Sequence, residues 1–105
     1  MKRYKLVVFV PLENADALRQ AMGDAGAGII GNYTHCTFSS RGTGRFKPGK
    51  GANPHIGKIG ILESVEEERI ETIVAEKKLE AVITAMKKAH PYEEVAYDVY
   101  LLENF

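Results

Sequence analysis

Glu68 to Pro91, ERIETIVAEKKLEAVITAMKKAHP, changes its hydrophobic period in mid-course, and the change decides the fold. Over Glu68–Ala75 the residues alternate, Ile70, Thr72 and Val74 on one side and Arg69, Glu71 and Ile73 on the other, as a strand with two unlike faces requires. From Lys77 to Ala89 the spacing becomes helical: Leu79, Val82, Ile83 and Met86 form one stripe. Lys87, Lys88 and His90 stand at the helix's negative end, and Pro91 terminates it.

Outward from this segment, Val95–Leu102 reads as a following strand with Val95, Tyr97, Val99 and Leu101 on one face, and Ile59–Leu62 as the start of a long or broken preceding one. The first half has the same order. Tyr4–Val10 is a β-branched and aromatic strand ended by Pro11, and Asn14 is placed to cap a helix over Asp16 to about Ala25, with Leu18, Met22 and Ala25 at helical spacing. Gly26 and Gly28 stop it, and Asn32–Ser39 is a polar edge strand with Tyr33, His35 and Thr37 opposite Thr34, Cys36 and Phe38. The order β, α, β, β, α, β predicts an α+β, ferredoxin-like sandwich: an antiparallel four-stranded sheet with two helices on one face. One domain over residues 1–105 is expected, with a long Gly-rich loop at about 40–58.

Fourteen basic and fourteen acidic residues cancel, so no net field favours nucleic acid or an anionic membrane as partner. Cys36 is the single cysteine, which excludes an internal disulfide and a four-thiolate zinc site within one chain and fits a reducing cytoplasm. Leu6–Val10 is too short for a membrane span or a signal peptide's apolar region.

The uncovered sheet face draws a further expectation. The first strand offers Val7 and Phe9 on one side and Leu6, Val8 and Val10 on the other, and the last sets Ala96, Tyr100 and Leu102 against Val95, Tyr97, Val99 and Leu101. Burying about 400 Å² of such surface contributes roughly 10 kcal/mol before association costs, at about 25 cal/mol per Å². A homo-oligomer packed through that face is therefore expected; the alternative is a monomer whose long loop folds back over the sheet.

Five glycines and two prolines between Gly42 and Gly57 argue against regular structure there. Gly44, Gly49 and Lys50 approach P-loop spacing, but Gly51 supplies no hydroxyl for magnesium and Pro54 argues against a following helix, so a nucleotide triphosphatase is rejected. Arg41, Arg45, Lys47, Lys50 and Lys58 nevertheless fall in a stretch without an acidic residue. Such a stretch can surround a small anion, or dock on the acidic run Glu63, Glu66, Glu67 and Glu68. His90, Tyr92, Glu93 and Glu94 form the densest polar cluster, suited to a divalent metal, to acid–base work, or simply to ending a helix. His35 and Cys36 are adjacent on a strand and point apart, so the thiol is expected in the core, while His55 can reach a site with His35 or another subunit. Ser39 and Ser40 lack a His–Asp constellation, and no RNA-binding signature accompanies the aromatics.

Together, Gly31-Asn32-Tyr33-Thr34-His35-Cys36-Thr37-Phe38, Gly42-Thr43-Gly44 with Phe46-Lys47-Pro48-Gly49, Gly51-Ala52-Asn53-Pro54-His55-Ile56-Gly57, and His90-Pro91-Tyr92-Glu93-Glu94 with Ala96-Tyr97-Asp98-Val99-Tyr100 resemble the YqfO-type domain. That domain is a PII-like and CutA-like unit inserted in many Nif-three-family proteins and also found alone. The resemblance covers nearly the whole chain and implies a ferredoxin-like fold related to trimeric signalling and metal-tolerance proteins. The family's metal-ligand motifs are expected in flanking domains, so no ligand transfers; Val95 stands where the family more usually has proline.

The sequence thus points to a small cytoplasmic, oligomeric ligand-binding or regulatory module, not an enzyme by itself, with a trimer favoured by the resemblance. Its candidate ligand residues are Arg41, Arg45, Lys47, Lys50, His35, His55, His90, Tyr92, Glu93 and Glu94, at subunit interfaces, for an anion, nucleotide or metal. No cofactor is identified. The alternatives are a metal-dependent hydrolase using His90–Glu94 and a purely structural assembly domain.

Overall fold

The computed structural model describes residues 1–105. The order is β1 (Arg3–Pro11), a 3-10 turn (Leu12–Asn14), α1 (Ala15–Asp24), β2 (Thr37–Phe46), β3 (Glu63–Ala75), α2 (Glu76–Ala89) and β4 (Tyr97–Leu101). The strands form one antiparallel sheet in the order β2-β3-β1-β4, which is the ferredoxin-like arrangement. No helix is long and apolar enough to cross a membrane.

The period change at Ala75 fixes the packing. Ile70 and Val74 of β3 join Leu6, Val8 and Val10 of β1 under Ala15, Leu18 and Met22 of α1 and Val82 and Met86 of α2. Thr72, the polar member of that β3 row, is buried because its hydroxyl donates to the Cys36 carbonyl at 2.9 Å. Arg19 fastens α1 to the sheet by donating to Glu68 and, at 3.1 Å, to Ser39, and it also pairs with Asp16. The hydrogen bonds to Glu68 and Asp16 raise the guanidinium's pKa.

Three local expectations are corrected. The second strand lies at Thr37–Phe46, not Asn32–Ser39, so Gly42 and Gly44 are in the sheet and the Gly-rich loop begins at residue 47. Pairing with the 13-residue β3, Gly44 opposite Val65 and Phe46 opposite Glu63, holds glycines that alone would favour a turn. Ile59–Leu62 precedes β3 and belongs to the loop. Asn14 makes no capping bond: it sits in the 3-10 turn with helical backbone, and its Oδ1 is buried without a hydrogen-bond partner.

The helix-free face carries the other pleat: Val7 and Phe9 of β1, Glu67, Arg69 and Glu71 of β3, Asp98 and Tyr100 of β4, and Phe38, Ser40, Gly42, Gly44 and Phe46 of β2. It is mixed rather than uniformly oily, because β3 places its charges there. Lys5–Glu71 (3.7 Å) and Arg69–Glu71 (3.3 Å) are partly exposed ion pairs worth little to stability, and the Arg69 guanidinium lies 5.7 Å from the Phe9 ring centroid. Phe38 and Tyr100 remain 70% and 51% exposed on it.

Candidate functional site

A cleft of about 690 Å³ opens on the helix-free face. Phe9, Gly42, Gly44, Glu67 and Arg69 of the sheet form its floor, Lys47–Gly49 with Ala52 and Pro54–Ile56 one wall, and Tyr92–Glu94 with Ala96 the other. The two walls are joined. Tyr92 packs edge-on to Phe46 (ring centroids 5.9 Å apart) and lies 6.3 Å from His55, while the Asn53 amide donates to Glu93 Oε2 at 2.8 Å. The loop therefore docks along the 92–94 segment and leaves the cleft open beneath it.

Glu67 is the unusual residue. It is 8% exposed, on the floor, and its Oε2 accepts the Tyr92 hydroxyl at 3.1 Å. It is in no ion pair. Its carboxylate lies directly over Gly44, where a Cβ would stand 2.2 Å from Oε1, so glycine creates the space the acid occupies. Burial, followed by the charge and hydrogen bond of Glu67 and the charge of Glu63, pushes the Tyr92 phenol well above its usual range.

His90 caps α2 with both ring nitrogens engaged: Nε2 donates to the Phe9 carbonyl at 2.7 Å and Nδ1 accepts the Tyr92 amide at 3.1 Å. This fixes one neutral tautomer. Burial lowers its pKa, outweighing the upward pull of the Phe9 carbonyl and Glu67. The expected imidazolium at the helix end is thus a neutral, buried ring that ties the second cleft wall to β1, with no lone pair left for a metal.

His35 does not join the cleft. It lies in the segment before β2, at φ 59°, with Nε2 2.9 Å from Asp24 Oδ1 and Nδ1 3.0 Å from Thr34 Oγ1. Its hydrogen bond, then that of Gln20, holds the Asp24 carboxyl below the usual range. Cys36 is half-buried outside the core cluster. No group of three or more His, Cys, Asp or Glu side chains gathers in a way that could hold a metal ion. The metal-dependent hydrolase alternative at His90–Glu94 therefore finds no ligand cluster there, and His35 lies apart from that segment.

The five basic residues separate. Lys47 borders the cleft, whereas Lys50 and Lys58 lie outside it. Arg41 and Arg45 touch its rim, but they leave β2 on the pleat of Ser39 and Thr43, whose side chains meet Arg19 and Glu66 on the helix side. None of the five is ion-paired within the chain. Tyr92, Glu93, Glu94 and His55 line the cleft as a group. Glu67 and Phe9 were not among the sequence candidates; their shared pleat with Gly44 was the available signal.

No family model matches the chain. Over 96% of its length the chain is 62% identical to the GTP cyclohydrolase 1 type 2 homolog of Halalkalibacterium halodurans, covering 27% of that protein. Among solved structures, the Bacillus cereus protein related to NIF3 superposes with a TM-score of 0.85 at 58% identity, over 98% of this chain and 26% of that one. CutA of Archaeoglobus fulgidus gives a TM-score of 0.70 at 15% identity, over 98% of this chain and 86% of that one. The Bacillus subtilis GlnK–ATP complex gives 0.65 at 15% identity, over 96% and 82%. The last two establish the fold alone. The chain spans about a quarter of the length of the curated relatives it matches.

Proposed function

We propose that this homologue of the CutA-like, PII-like segment of NIF3-related proteins is a binding or regulatory module that takes a small ligand with a flat apolar body and an anionic end. The observation that carries the reading is the open cleft of about 690 Å³, floored by Phe9 and the glycine backbone of β2 and walled by Phe46, Tyr92 and Ile56. Such a surface suits a planar ring, since apolar and aromatic walls with a few fixed polar groups are the usual composition of small-molecule sites. Lys47, without an internal ion-pair partner, supplies positive charge at the rim, and Lys50 and Lys58 of the same loop add to the field. The GlnK structure of the same fold was solved with ATP, which makes a nucleotide the first ligand class to test.

Calorimetric titration with ATP, GTP and inorganic pyrophosphate tests this. Saturable binding of a nucleotide at one per chain, weakened several-fold in Lys47→Ala and absent for pyrophosphate, is expected; indifference to all three contradicts it. A second proposal concerns assembly. Phe38 and Tyr100, exposed on the helix-free face, favour self-association through that surface. Light scattering should give an oligomer for the native chain and a smaller species for Phe38→Ser with Tyr100→Ser.

A further inference from the structure

We infer that Glu67 is the residue by which the cleft selects its ligand, accepting a hydrogen bond from an N–H group on the ligand's ring. The inference rests on the cleft being a small-molecule site. Glu67 is more than nine-tenths buried, faces the cleft and has no cation beside it. One oxygen, Oε2, accepts the Tyr92 hydroxyl; Oε1 lies over Gly44 with no donor from the chain. Oε1 is not sealed in the protein and keeps its contact with water through the cleft, so a ring that covers it must supply a donor in place of that water. Tyr92 and Gly44 hold the group in place: the phenol orients one oxygen, and the missing Cβ lets the carboxylate lie against the β2 backbone.

A ring seated on that floor therefore presents its edge to a fixed anionic acceptor. The chemistry favours heterocycles with an exocyclic amine, as in adenine or guanine. It disfavours uracil, whose one ring N–H sits between two carbonyl oxygens that a carboxylate repels. Positive charge at the rim acts on the ligand's anionic end whatever its base.

Calorimetric titration of ATP, GTP and UTP into the native chain, Glu67→Gln, Gly44→Ala and Lys47→Ala tests this, with thermal melts showing that each variant is folded. The native chain is expected to bind ATP and GTP at least about tenfold more tightly than UTP. Glu67→Gln, which removes the charged acceptor but keeps the shape, should weaken ATP and GTP about tenfold and leave UTP little changed. Gly44→Ala, which displaces the carboxylate without removing it, should repeat that pattern, and Lys47→Ala should weaken all three alike. Equal effects of Glu67→Gln on all three nucleotides, or none on any, would overturn the assignment while leaving the cleft as a binding site. No binding of any nucleotide by the native chain would remove the site itself. A change of oligomeric state with nucleotide affinities intact would assign Glu67 to a subunit contact and also overturn the inference.

Discussion

On the covered face of the sheet Leu6, Val8 and Val10 meet Ile70, Val74, Leu18, Met22, Val82 and Met86, and every one of these side chains is sealed from water. On the bare face the residues between them, Val7 and Phe9, stand beside Glu71 and Arg69, and the floor holds a buried acid under an open cleft. The same strands thus build a dry core on one side and a mixed, polar surface on the other. Stability belongs to the first face and, in the proposed function, selectivity to the second, since a buried carboxylate over glycine costs stability where an apolar residue would add it.

Substitutions should divide along that line. Leu18→Ala, on the covered face, should destabilise by about 3 kcal/mol, read as a lower urea midpoint, because it removes buried methyl groups and leaves a cavity. Gly28→Ala comes next, at about 2 kcal/mol: its φ of +77° and a Cβ 2.4 Å from the Cys36 backbone nitrogen strain the hook that leads into β2. Tyr92→Phe should cost about 1 kcal/mol by removing Glu67's donor, and should weaken amino-base nucleotides more than UTP.

A pH effect of smaller size belongs to His90. Burial holds its folded pKa below the unfolded value of about 6.5, so the unfolded chain takes up the proton first. Stability from this source is complete above that value and declines as pH falls through it toward the folded pKa. Melting temperatures between neutral and mildly acidic pH should show the decline, and His90→Gln should flatten it. Lys47→Ala should leave the unfolding free energy from urea titration within about 0.5 kcal/mol of native, and thereby separate loss of binding from loss of fold.

The covered face was legible because its signal is periodic: the helix lies within a residue of its expected bounds and the strand ends at Ala75 as expected, although it begins at Glu63, five residues before the expected start. The bare face was less so. The strand through Gly42 and Gly44 was hidden because glycine has no strand preference of its own, and only pairing with β3 keeps it extended. Arg41 and Arg45, site candidates in the linear charge pattern, border the cleft only at its rim, because the strand's alternation starts them on the other pleat. Glu67 was read only as one member of an acidic run. Its partner Tyr92 is 25 residues away, and the contact depends on how α2 and the turn after His90 return the chain to the sheet. His90 was correctly placed at a helix end, but its neutral state follows from its burial and from Nδ1 accepting the Tyr92 amide, which the linear sequence does not display.

The most direct measurement follows backbone amide resonances of the native chain while ATP is added. If the helix-free cleft is the binding surface, signals from Ser40–Phe46, Ala52–Ile56 and Tyr92–Ala96 shift together and saturate, and those from Asp24–Cys36 stay in place. Shifts confined to Asp24–Cys36, or none at millimolar ATP, would contradict the account.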